Sequence, residues 1–129
     1  MITEDYVSFE VAKLLKEKGF EEETWGYYPI KGDCIGLFRR SGVEYNHNNS
    51  QVQISAQTLQ MVQKWLREEH KVDIAIYHEL NDDSTSVYYK YIGVMPGKTV
   101  FECKQGAVKY EQAVENAIKW VLENLIEND

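Results

Sequence analysis

The sequence is short of the residues that staple a chain from outside its core. It has two cysteines, Cys34 and Cys103, in 129 residues. A disulfide framework needs more cysteines than that, so the two read as reduced, partly buried thiols of a cytoplasmic protein. Proline occurs only at positions 29 and 96, which excludes a proline-rich linker. No apolar run reaches the 18 or so residues of a membrane span. The opening "MITEDYVSFE" is acidic and has no apolar stretch of the secretory kind. Positive charge is scarce as well. Fourteen Lys and Arg face 21 Asp and Glu, for a net charge of −7, which works against binding to a phosphate backbone.

The motifs of common chemistries are missing too. The histidines, His47, His70 and His78, have no i,i+4 partner, and there is no C-x-x-C, so neither a metal nor a cofactor is expected. No G-x-S-x-G elbow supplies a serine nucleophile. "PGKT", residues 96 to 99, imitates the tail of a phosphate loop, but it lacks the leading glycine and precedes a strand pattern. The carboxylate runs Glu21–Glu23, Glu68–Glu69 and Asp82–Asp83 are contiguous. Acid–base catalysis needs carboxylates in differently solvated places, so these runs read as solvated faces and turns.

What the chain does have is patterned apolar residues: 43% hydrophobic against 27% charged, enough to support a globular core. The length suits one domain over residues 1–129, and no linker divides it. Ser8 can cap a first helix carrying Phe9, Val11, Ala12, Leu14 and Leu15, and Gly19 can stop it. A second helix is expected from Ser55. Its apolar residues Leu59, Met61, Val62, Trp65 and Leu66 fall within an arc of roughly 160°, leaving Gln60, Lys64 and Arg67 on the polar side. A third runs from about Gln105 to Ile126, with Tyr110, Ala113, Val114, Ala117, Ile118, Val121, Leu125 and Ile126 on one face.

Elsewhere the apolar period is two. "HKVDIAIYHEL" alternates as a half-buried strand. "SVYYKYIGVM" should return antiparallel after the turn "NDDS", and "TVFECK" should follow the turn at Pro96-Gly97, placing Phe101 and Cys103 on one face. Earlier, "TWGYYPI" and "CIGLFRR" read as two strands across "KGD", with Pro29 marking the first as an edge. "SGVEYNHNNS" reads as a polar loop and "QVQI" as one more short strand. The helix ends "LLKEKGF" and "WLREEHKV" echo one another faintly.

The run T-L-Q-M-x-x-K-W-L-R-E, from Thr58 to Glu68, resembles an uncharacterised group of small acidic proteins of anaerobic gut bacteria, associated with prophages and mobile elements. The opening "ITEDYVSFEVAKLLKEKGF" and the closing "YEQAVENAIKW" are similar to the same group. The resemblance implies an accessory cytoplasmic protein and transfers no functional residue.

The order α-β-β-(β)-α-β-β-β-α points to an α+β fold: a two-layer, mostly antiparallel sheet with three helices packed mainly on one face. The expected function is that of a non-enzymatic binding or interaction protein. Its contact residues would be Arg39, Arg40, Tyr45 and His47 in the polar loop, where binding groups concentrate. The partner would be a protein, or a second copy joined through a sheet edge. One alternative is a regulator of nucleic-acid machinery. It would act as an acidic decoy or a weak binder, through Tyr88, Tyr89, Lys90 and Tyr91, on which bases could stack. The other is a small enzyme with a site of scattered residues, such as Cys34 or Cys103 beside a histidine.

Overall fold

The computed structural model describes residues 5–30, 38–39, 46–51, 53–80, 82–103 and 106–127. Helix α1 (Phe9–Glu17) begins where Ser8 Oγ accepts the Val11 N–H at 3.3 Å, so one of the orphan donors of the first turn is satisfied. It stops at Gly19, whose φ of +87° lies in the left-handed region that glycine enters without a Cβ penalty. Strands β1 (Gly26–Pro29), β2 (Phe38–Arg39) and β3 (Gln53–Ala56) follow, with a 3-10 turn at His47–Asn49. Then come helix α2 (Leu59–His70), strands β4 (Asp73–Leu80), β5 (Val87–Met95) and β6 (Lys98–Glu102), and helix α3 (Tyr110–Asn124). The class is α+β in the expected order. The chain divides into two compact units, residues 1–58 with 126–129, and residues 59–125.

In the first unit the sheet order is β2-β1-β3, antiparallel throughout. Tyr28 pairs with Ile54 and Gly26 with Ala56, so this face is apolar and meets α1. Tyr28 donates its hydroxyl to the Val7 carbonyl at 2.6 Å, and its ring meets Phe9 edge-on. Lys16 reaches down from the helix to the Ser50 and Gln53 carbonyls.

In the second unit the order is β4-β5-β6, an antiparallel meander. Leu59, Val62, Trp65 and Leu66 of α2 are buried, and α2 packs against both β4 and α3. The expected stripe is therefore core, with Met61 half-buried at its margin. From α3, Trp120 stacks on Phe101 of β6, centroids 4.3 Å apart. Phe101 crosses Gly93 of β5 so closely that a Cβ at position 93 would overlap its ring. Gly97, at φ +86°, closes the β5–β6 turn after Pro96.

Several boundaries differ from expectation. Residues 55 and 56 belong to β3, not to the second helix, because they pair with Tyr27 and Gly26. Thr58 is held by a bridge to Tyr6, so helical geometry starts at Leu59. The third helix starts at Tyr110 rather than near residue 105, because Ala107 and Tyr89 exchange both backbone hydrogen bonds at 2.8 Å. Strand β1 is central rather than an edge. Pro29 is its last residue, while β2 pairs only with Gly26 and Tyr27, so the missing N–H interrupts no inner rung. The strands also form two sheets rather than one. The helix-end echo is matched by element content, since each unit sets a helix before three strands. The strand orders differ, with the first strand central in one sheet and the second in the other.

Candidate interaction surface

Of the loop residues expected to make contacts, Arg39 is described by its backbone and His47 in full. Arg39 pairs through its backbone with Gly26. Arg40 and Tyr45 lie outside the described residues, as do Cys34 and the turn "KGD". His47 is fully buried, contrary to the expectation of a contact residue in a solvated loop. Its ring stacks on Tyr27 at 4.8 Å, and its Nδ1 lies 3.1 Å from Gln53 Oε1. The Asn-rich composition that suggested solvent serves internal bonding. The Asn48 amide donates to the Phe20 carbonyl at 2.8 Å, its Oδ1 accepts the Ser55 N–H at 2.8 Å, and Asn46 Oδ1 accepts the Asn48 N–H. Beside this cluster the Ser55 hydroxyl and both polar atoms of the Gln57 amide are buried without a hydrogen-bond partner.

The Tyr/Lys strand is divided by its own alternation. On β5, Tyr89 and Tyr91 meet rings of the helical layer and of β6, Tyr110 and Phe101. Tyr88 and Lys90 take the opposite face. There Glu79 accepts the Tyr88 hydroxyl at 2.8 Å and pairs with Lys90 at 3.4 Å. The Tyr88 hydrogen bond, helped by Lys90, holds the Glu79 carboxyl below its ordinary pKa. The same bond raises the phenol of Tyr88, and Glu79 raises the Lys90 ammonium. This cation and its neighbouring rings are thus engaged with one another. Cys103 Sγ accepts the Tyr91 N–H at 3.1 Å in a half-buried position. Among the described residues, no three His, Cys, Asp or Glu side chains converge as a metal site requires.

The more open apolar surface lies at the far end of the β4–β5 hairpin. Ile74, near the start of β4, is buried, while His78 and Leu80 on the same face are exposed. The helical layer ends at Tyr110, and the hairpin continues past it. Leu80 pairs directly with Val87, and the next rung on the same face is His78 with Tyr89. Tyr89 touches His78 at 6.2 Å and Tyr110 at 5.8 Å. Leu80 is 56% exposed, Val87 41% and Tyr110 46%, and Val108, just before the helix, is 84% exposed. Leaving large apolar side chains in water forfeits about 1.5–3 kcal/mol each. Single exposed residues are ordinary, whereas grouped ones make a candidate interaction surface. Sequence pattern held a trace of it: β4 and β5, at eight and nine residues, are long for a small sheet. Assigning residues 105–109 to helix hid the rest.

The fold and this surface define a small α+β protein with two three-stranded antiparallel sheets and an apolar shelf on the second. No helix among the described residues is long and apolar enough to cross a membrane. No family model, curated protein or solved structure matches the chain.

Proposed function

We propose that the chain is a non-enzymatic interaction protein, an accessory protein of phage or mobile-element origin that works through protein–protein contacts in the cytoplasm. The observation that carries this reading is the exposed pair Leu80 and Val87, linked through His78 and the half-buried Tyr89 to the exposed Tyr110. Interfaces are enriched in aromatic anchors at their centres. The pairing of Lys90 with Glu79 favours protein contact over direct nucleic-acid binding through the tyrosine strand. The partner is a host protein or a second copy.

A photo-crosslinking residue at position 80 tests the reading in the native host. The expected product is a discrete adduct that is lost when Val87→Asp is added. Adducts spread over many proteins, indifferent to Val87→Asp, would reject it. Light scattering across a concentration series decides the second copy, since a strict monomer removes the homodimer.

A further inference from the structure

The second unit holds a cleft of about 360 Å³, lined by the end of α2, the start of β4 and the β5–β6 turn. Its polar wall is Arg67, Lys71 and Asp73, and its apolar wall is Val94, Met95 and Pro96. A concave site of this size, mostly apolar with a few placed polar groups, is the usual form of a recognition pocket. We infer that this cleft receives an acidic segment of a partner protein, with a carboxylate against Arg67 and an adjacent apolar side chain against Val94 and Met95. The inference rests on the interaction reading above and adds a second contact surface to it.

Three observations carry it. First, Arg67 makes no ion pair or hydrogen bond with any described residue, unlike Lys90. Its planar fork suits a carboxylate held by two bonds. Second, Gln60, Lys64 and Arg67 follow one another at i, i+4 and i+7, a polar-and-basic line down α2 that ends at the cleft. On a chain of net charge −7, this local line of positive charge attracts acidic groups. Third, Lys71 has φ +59°. It occupies the left-handed position after α2, closed by the Val72 N–H to the Leu66 carbonyl at 3.0 Å. Glycine is the residue that fits there without strain. A lysine at that place puts a cation at the mouth of the cleft, its Nζ also holding the Glu68 carbonyl at 2.9 Å. Strain kept beside a cleft is a sign of use. Asp73, in the same lining, offers an acceptor to a peptide N–H.

The probe is the blocked peptide acetyl-Leu-Glu-Leu-Asp-Leu-amide, titrated into the full chain with the Met95 methyl isotopically labelled for NMR. The expected result is a saturable shift of the Met95 methyl, with affinity at least tenfold weaker in Arg67→Gln and less reduced in Lys64→Gln. The Gln/Asn analogue of the peptide should not shift it. An equal response to that analogue, indifference to Arg67→Gln, or no shift at millimolar peptide would each overturn the inference. Sodium acetate producing the same saturable shift would reduce the cleft to a small-anion site and overturn peptide docking. The position-80 adduct, repeated in Arg67→Gln, separates the two readings: its survival with a silent cleft leaves the interaction function standing without this site.

Discussion

The two units use the same parts and fill them differently. Each places a helix before three antiparallel strands. In the second, the helix-facing side of the sheet is closed by hydrocarbon and rings: Ile74, Phe101 and Trp120, with Leu66, Ile118 and Leu122 beneath. In the first, one face of β1 and β3 is apolar against α1. The other carries Tyr27, Gln53 and Ser55 on paired or alternating positions, with His47 laid on Tyr27. Among the described residues, the buried polar ones, Thr24, His47, Ser55 and Gln57, all belong to the first unit. Apolar packing is non-directional and tolerates exchange of like for like. A buried polar cluster is held by specific bonds and is costly wherever one is missing. The two units should therefore respond to substitution with different size and even different sign.

The largest effect is expected in the second unit. Phe101→Ala removes the ring that fills the space between Gly93 and Trp120, and should cost about 3–5 kcal/mol. Urea denaturation followed by tryptophan fluorescence measures it. A loss under 1 kcal/mol would mean that the Phe101–Trp120 stack is not part of the folded core.

The matching change in the first unit is Asn48→Ala. It deletes the amide that bonds the Phe20 carbonyl and the Ser55 N–H, leaving two backbone groups to find other partners. The expected cost is about 1–3 kcal/mol, read by the same unfolding curve. Hydrogen exchange should sharpen the contrast. The Ser55 amide should exchange faster in this variant while the Ile74 amide is little changed.

How legible each unit was in the sequence follows from the same difference. The stripe of α2, the alternation of β4 and the Pro96-Gly97 turn are periodic or chemically forced, and a single sequence displays them. So are the Ser8 cap and the Gly19 stop. The inward turn of His47 depends on Asn48 reaching Phe20, 28 residues away, and no local pattern announces that. Polar composition around Asn46–Asn49 pointed toward solvent, which is why His47 was expected at a contact surface. Ser55 reads as the start of the second helix from its neighbours, yet tertiary pairing with Tyr27 makes it a strand residue. The shelf at Leu80 and Val87 showed only as the length of β4 and β5, because exposure depends on where α3 begins, and that is fixed by the Tyr89–Ala107 bridge. Arg67 was visible as a residue on the polar side of α2. Its cleft was not, since the opposite wall comes from a turn 29 residues later.

Two substitutions should reverse the usual sign. Gln57→Met replaces a buried amide that has no hydrogen-bond partner with an apolar side chain of similar length. It should stabilise by about 1 kcal/mol, because the desolvation cost of the amide is removed. A destabilisation of that size would show that the amide is bonded in solution. Lys71→Gly, in the second unit, relieves the left-handed lysine and should stabilise by about 0.5–1 kcal/mol. If it destabilises instead, the Nζ bond to the Glu68 carbonyl outweighs the backbone strain.

The smallest effects are electrostatic and belong to the second unit. His70 packs edge-on against Trp65 at 4.6 Å, and burial lowers its pKa from 6.5, with Glu69 opposing part of the shift. A lowered histidine is neutral in the fold at pH values where the unfolded chain already binds the proton. The unfolded state then holds more protons, so stability falls as pH drops from about 6.5 through the folded pKa and levels off below it. Glu79 gives the second step. Its pKa is lowered from 4.5 by the Tyr88 hydroxyl and then by Lys90, so its contribution is complete above that value and is lost as pH falls through the folded pKa. The pair is partly exposed, and solvent screening keeps its step small. Urea midpoints measured from pH 8 to pH 3 should show a shallow decline beginning near 6.5 and a further one below 4.5. His70→Gln should flatten the first and leave the second. Glu79→Gln should do the reverse, and a profile in which both variants flatten the same interval would mean that the two groups titrate as one system.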